Sequence, residues 1–334
     1  MSLLSVRDFA VHYATRAGAV RAVDGFDLEV PPGSIVGLVG ESGCGKSTLG
    51  RAIMGVLPET ASIAGGSAVF EGRNLVTLPE DERRRLRWRR LSFIPQTAMN
   101  ALDPVQRLRA QLLEVLRERG GLPHRAAFDR AAELFRMVGL DPIRLADYPH
   151  QFSGGMRQRA SIALALALEP RLVIADEPVT ALDVIVQRQV LDTLRGLQER
   201  LGLTMILITH DMAVVAYCCD RVAVMYAGRT VEAGPAALVL ERPLHPYTMG
   251  LTHAFPDVHG GGAALVPIEG VPPVLIDPPP GCRFAPRCPF ALEICRTQTP
   301  PLTQYGADHA AACWRAKEAS SLRVAAAQPE TWAA

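Results

Sequence analysis

Apolar and polar residues alternate over residues 4–13 and again over 21–30, with turn residues near Arg16–Gly18 between them. A period of two predicts a pair of antiparallel strands. Pro31-Pro32-Gly33 breaks the pattern as a turn. Residues 34–39 read as a buried strand and 46–57 as a helix. Residues 69–75, around Glu71-Gly72-Arg73, resemble a short hairpin. Helical spacing recurs over 106–119 and 125–138, with Gly120-Gly121 and Gly139 as stops. Residues 155–168 are helical, and short apolar strands at 172–175 and 204–208 flank a helix over 184–201. Strand, helix, strand in that order predicts a mostly parallel sheet covered by helices. Residues 220–226 and 229–233 predict a terminal hairpin.

Near residue 255 the texture changes. Residues 256–281 are rich in Pro and Gly, 282–313 carry cysteines, and a polar, Ala-rich tail follows. The expected organisation is one domain over 1–255 and an extension over 256–334. No internal repeat is visible.

Composition narrows the possibilities. The chain has 334 residues, 49% of them apolar, with 35 basic against 34 acidic side chains. A large core is affordable, and a net charge of +1 offers no global field for nucleic acid. Lys46 and Lys317 are the only lysines, which makes Lys46 more telling. Arg7 and Asp8 interrupt any signal-like start, and the longest apolar run, 162–168, is too short to span a bilayer. The expectation is a cytosolic chain that meets a membrane through partners. Its seven cysteines then read as free thiols or metal ligands rather than disulfides. The basic run 83–90 reads as a solvated helix face.

The chemistry begins at Gly40-Glu41-Ser42-Gly43-Cys44-Gly45-Lys46-Ser47, which fits G-x-x-x-x-G-K-[ST] between a predicted strand and a predicted helix. Gly40, Gly43 and Gly45 let the backbone curl so that N–H groups, that of Ser42 among them, point at phosphate oxygens. The helix N-terminus adds its positive dipole end. Lys46 would span the β- and γ-phosphates, Ser47 would ligate Mg²⁺, and Thr48 would contact the α-phosphate. Cys44 stands where a small residue suffices.

Asp176 closes an apolar strand and suits the carboxylate that holds Mg²⁺. Glu177 follows and can polarise an attacking water. His210, after the strand at 204–208, could bond the γ-phosphate, and Gln96 could reach Mg²⁺ or the water. Between loop and acidic strand lies Phe152-Ser153-Gly154-Gly155-Met156-Arg157-Gln158-Arg159. A Ser-Gly-Gly turn that opens a helix is a second surface able to hold a γ-phosphate.

These motifs resemble, in order, the ATP-binding subunit of ABC transporters, over roughly residues 4–255. The resemblance implies an α/β P-loop fold: a RecA-like mixed sheet, an antiparallel β subdomain, and a helical subdomain near 97–160. It implies that Tyr13 stacks on adenine and that Asp183, in the Ala181-Leu182-Asp183 loop, joins the site. It also implies a head-to-tail dimer in which Ser153, Gly154 and Gly155 serve ATP held by the partner. The segments Tyr148-Pro149-His150-Gln151, Met225-Tyr226-Ala227-Gly228 and His245-Pro246-Tyr247-Thr248 are similar to the oligopeptide/dipeptide/nickel importer subfamily. There the implied partners are a second ATPase, two permeases and an extracytoplasmic substrate-binding protein. The implied place is the cytoplasmic face of the inner membrane. The competing reading, a soluble ABC-type ATPase acting on nucleic acid or ribosomes, lacks the usual coiled-coil insertion or second cassette.

Cys282, Cys288, Cys295 and Cys313 are spaced C-x5-C-x6-C-x17-C. Thiolates at such intervals suit one centre, and the subfamily resemblance implies a [4Fe–4S] cluster. Tetrahedral zinc and no metal at all stay open, although zinc favours closer pairs. Cys218-Cys219 read as core packing.

Overall fold

The alternation at the start of the chain is realised as β1 (Leu4–Thr15) and β2 (Gly18–Val30), paired antiparallel. The computed structural model describes residues 2–96, 101–253 and 268–332, which fall into two compact units.

One unit draws on Ser2–Val30, Val36–Val76 and Thr209–Ala334. Its first sheet has the order β2-β1-β4-β5, with β4 at Ala61–Phe70 and β5 at Arg73–Asn74. Leu4, Val6, Phe9 and Val11 are buried, so the period of two covers one face. The register slips between Val6 and Phe9, where Asp8 takes φ 44° in a bulge. The hairpin around Glu71-Gly72 is present, but its first strand begins at Ala61 rather than near Val69. Pairing of Ile63 with Val11 holds those extra residues.

The same unit pairs β3 (Ile35–Val39) parallel to β9 (Arg221–Tyr226), and β9 antiparallel to β10 (Arg229–Pro235). This hairpin is not terminal. β12 (Ala310–Ala311) pairs with β10, and β11 (Thr303–Gln304) pairs with β12. Two-residue strands carry no periodic signal; they form because an edge strand offers unpaired backbone groups. Val39, Val224 and Tyr226 share one core with Tyr247 of α9 (Pro246–His253), Phe284 and Trp332. The rings of Tyr226, Tyr247 and Phe284 lie 4.6, 5.2 and 5.4 Å apart pairwise. Each such pair adds about 0.5–1.5 kcal/mol beyond burial. Cys218 is buried in α7 (Met212–Cys218), its thiol donating to the Val214 carbonyl, as core packing requires.

The other unit draws on Pro31–Ile35 and Thr77–Ile208. Here β6 (Leu91–Ile94), β7 (Leu172–Asp176) and β8 (Thr204–Thr209) run parallel with β7 between its neighbours. Every residue of β7 is buried, which explains its unbroken apolar run. Glu177 N–H bonds to the Ile208 carbonyl, extending this pairing one step past β7. Among the helices, α2 (Glu80–Leu86) carries only the Arg83–Arg85 part of the basic run, Arg87, Arg89 and Arg90 lying past its end, and Glu80 pairs with Arg83 and Arg87. α3 (Leu108–Glu114) passes through a π-helical turn, Val115–Arg119, before α4 (His124–Met137). α5 (Gly154–Ala165) and α6 (Val184–Leu201) flank β7 in the chain. Residues 97–100, where the helical subdomain is expected to start, and the boundary expected near 255 lie outside the described residues. Among the described residues no helix is long and apolar enough to cross a membrane.

Candidate nucleotide site

Residues 40–47 form a curled loop that enters α1 (Lys46–Met54). Gly45 caps the helix at φ 111°, and a Cβ there would stand 2.2 Å from the Ala22 carbonyl oxygen. A Cβ on Gly40 would stand 2.1 Å from the Met225 carbonyl oxygen. Gly43, at φ 79°, has open space instead. The glycines thus serve different ends: close backbone approach at 40 and 45, backbone freedom at 43. Lys46 is only 5% exposed. Its ammonium donates to the carbonyls of Gly40 at 2.7 Å and Glu41 at 2.9 Å. Ser42 and Gly43 are exposed at the loop tip, and Ser47 is half-buried. The Tyr13 and Thr48 hydroxyls are 3.1 Å apart, which places the aromatic residue beside the start of α1. Cys44 is buried, and burial pushes its thiol above the usual range against the opposing pull of Lys46. A protonated, buried thiol is unreactive, so the small-residue reading of Cys44 stands.

In the other unit, Asp176 ends β7 and is 1% exposed. Glu177 turns out of the strand at φ 47°, a left-handed conformation rare outside glycine. Its Oε2 accepts from Gln96 Nε2 at 2.7 Å and from the Thr180 hydroxyl at 3.0 Å. Two donors therefore fix the carboxylate proposed to polarise water. Thr180 escaped the sequence reading; its one signal was a hydroxyl three residues after the carboxylate. His210, in the first-described unit, follows β8 and is exposed.

The Ser153-Gly154-Gly155 turn begins at an N-cap. Ser153 Oγ accepts the Met156 N–H at 3.3 Å, and the residue is exposed. Asp183 plays the same part for α6, accepting the Val186 N–H at 2.9 Å. The two helix starts touch. A Cβ on Gly155 would meet Val186 Cγ1 at 2.2 Å, and one on Gly154 would meet Leu182 Cδ2 at 3.3 Å. Gly155 is thus required by packing within the chain. Ala181, in the loop ahead of Asp183, is also left-handed, at φ 64°.

Cys282, Cys288, Cys295 and Cys313 all line one cavity of about 20 Å³, shared with His245 and Phe284. None of the seven cysteines is in a disulfide. Burial pushes Cys288 and Cys313 up to about 12, with neighbouring cysteines adding to it. Four thiols on one cavity suit a thiolate centre in their donor chemistry. Their spacing does not close a coordination shell: among the described residues no three His, Cys, Asp or Glu side chains are grouped to hold a metal ion.

A family model of the ABC transporter matches residues 23–180. One of the oligopeptide/dipeptide transporter C-terminal region matches 231–295. The oligopeptide transport ATP-binding protein OppD of Salmonella typhimurium is 45% identical over 95% of this chain and 94% of its own. The dipeptide transport ATP-binding protein DppD of Bacillus subtilis is 44% identical over 93% and 94%. Among solved structures, the ATP-binding cassette MJ0796 in a post-hydrolysis state with ADP and phosphate aligns at TM-score 0.63 and 25% identity. That alignment covers 70% of this chain and 98% of the cassette. The chain belongs to the ABC transporter family, in its oligopeptide/dipeptide branch, and carries that family's ATPase cassette.

Proposed function

We propose that this chain is the ATP-hydrolysing subunit that powers import of peptides, or of a related small solute, through an ABC transporter. The observation that carries this is the Glu177 carboxylate, held by Gln96 and Thr180 directly after buried Asp176. A carboxylate that only lined a turn would need no such fixing. The loop N–H groups of residues 40–47 and the Lys46 ammonium hold the phosphates, and Tyr13 stacks on the adenine. Ser47, Asp176 and Gln96 offer oxygen donors, which suit Mg²⁺. When bound, Mg²⁺ neutralises phosphate charge. Glu177 takes the proton of the attacking water, and His210 bonds the γ-phosphate. Ser153 and Gly155 serve the ATP of a second ATPase subunit, in a heterodimer on the cytoplasmic face of the membrane. Two permeases carry the solute, delivered by an extracytoplasmic binding protein, and dimer closure on ATP drives their alternation.

The deciding experiment is Glu177→Gln in the assembled transporter. ATP should bind and stay, with turnover abolished; normal turnover removes Glu177 from its role. Lys46→Ala should lose most nucleotide affinity, and unchanged binding would overturn the loop assignment. Peptide-loaded binding protein should stimulate turnover. Copurification with ribosomes or DNA instead of permeases would favour the soluble ATPase.

The tail supports a second proposal, that its four thiols ligate a [4Fe–4S] cluster. Four cysteines spread over 282–313 reach one cavity, which ordinary packing does not demand. Ligation would displace the thiol protons. Anaerobic purification with iron and sulfide assays tests this: zinc without iron, or no metal, rejects the cluster.

A further inference from the structure

Glu41, the second residue of the nucleotide loop, is held by groups from far along the chain. Its carboxylate accepts both arms of Arg287, Nη1 to Oε2 at 2.8 Å and Nη2 to Oε1 at 3.0 Å. Its N–H donates to the buried Tyr247 hydroxyl at 2.9 Å. Its carbonyl accepts the Lys46 ammonium at 2.9 Å and the Cys44 N–H at 3.3 Å. Glu41 is therefore one point through which the lysine and the middle of the loop are tied to the rest of their unit.

Arg287 is built for that hold. Its side chain is 6% exposed, and it also donates to the carbonyls of Glu269 at 2.8 Å and Ile268 at 3.1 Å. The guanidinium lies 5.8 Å from the Tyr226 ring centre and donates to its hydroxyl at 3.2 Å. Burial opposes its charge, but the bonds to Glu41 and Tyr226 outweigh burial and raise its pKa. A fork that matches a carboxylate in two parallel bonds fixes direction as well as distance. A second arginine of the same segment, Arg283, bonds the Ala227 carbonyl. The next residue, Gly228, donates its N–H to the Cys44 carbonyl at 2.9 Å. The cysteine-bearing extension thus bonds the loop directly at residue 41, and at residue 44 only by way of Ala227-Gly228.

We propose that Arg287 is a positioning residue for ATP binding: from the C-terminal extension it fixes Glu41, and through Glu41 the phosphate-binding backbone of residues 40–47. This rests on the reading of 40–47 as the phosphate loop. It makes the extension part of the nucleotide site. A purely structural arginine would change melting and leave nucleotide affinity alone.

The test measures ATP KM and kcat in the assembled transporter for Arg287→Ala, Glu41→Gln and the double variant. Each single change should raise KM about tenfold, equal to about 1.4 kcal/mol, with kcat within about twofold, the size expected for one charge-assisted pair. The double variant should be no worse than the worse single one, because both remove the same contact. Arg287→Lys should recover part of the affinity. If Arg287→Ala does not fold, Glu41→Gln carries the test, since that carboxylate is partly exposed. Unchanged KM in Glu41→Gln, or full additivity in the double variant, overturns the proposal. Lys46→Ala separates the layers. If it loses ATP while Glu41→Gln does not, this inference alone fails; if it binds ATP normally, the loop reading fails and takes this inference with it.

Discussion

Replacing Gly155 by alanine probes how α5 is seated. The new Cβ would stand 2.2 Å from Val186 Cγ1, with Val186 Cβ next at 3.6 Å. Carbon atoms pack at about 3.5–4.0 Å, so more than 1 Å must be found. Valine has one strongly preferred rotamer on a helix, and leaving it costs about 0.5–1.5 kcal/mol. Otherwise the starts of α5 and α6 separate, with an overpacking cost of about 1–3 kcal/mol. Alanine returns about 1 kcal/mol over glycine in a helix. The net loss of stability is then about 1 kcal/mol, a few degrees of melting temperature at most. Activity is far more sensitive, because a 1 Å misplacement costs about 100-fold in rate. ATP turnover in the assembled transporter and a melting scan of the full chain read the two effects separately. The added change Val186→Ala removes the obstructing methyl and should restore turnover at least tenfold. Turnover within twofold of the parent in Gly155→Ala, or a loss that Val186→Ala leaves untouched, refutes this account of the contact.

Four further outcomes are expected. Gly45→Ala, which drives a Cβ to 2.2 Å from the Ala22 carbonyl, should abolish nucleotide binding in an equilibrium titration. Without nucleotide, Gly43→Ala, which meets no atom within 4 Å, should cost only the left-handed strain of about 1–2 kcal/mol in denaturant unfolding. Thr180→Val should keep ATP affinity and lower kcat about tenfold, because Glu177 loses a donor that fixes its carboxylate; unchanged kcat would mean the Thr180 bond is not needed. Asp183→Ala should cost about 1 kcal/mol in denaturant unfolding through loss of the α6 cap, with hydrogen exchange fastest at Val184–Val186.

The parts that sequence conveyed were those whose causes are local. The expected helix over 184–201 is kept at both ends, because its limits are local: the Asp183 cap before it and Gly202, at φ 61°, after it. The loop at 40–47, Asp176, Glu177 and the Ser153 cap each depend on neighbours within a few residues, so their motifs could be read directly. What escaped depends on distant partners. The first half of β4 exists through its pairing with β1, and β11 and β12 through the edge of β10. The π-helical turn at Val115–Arg119 interrupts what periodicity presented as one helix. Arg287 and Glu41 are 246 residues apart, and no local pattern marks either as the other's partner.

That separation has a consequence for how the molecule is made. The unit bearing the loop is assembled from three stretches, and its last, Thr209–Ala334, supplies Tyr247 and Arg287. Chains emerge from the ribosome N-terminus first, at about 5–20 residues per second. The loop therefore waits roughly 12–50 s for the arginine that braces it. Through that interval Glu41 has no grip on its side chain. Competence to hold ATP becomes a late event in biosynthesis, and a nascent chain stalled ahead of residue 287 should present a complete phosphate-loop sequence with weak nucleotide affinity.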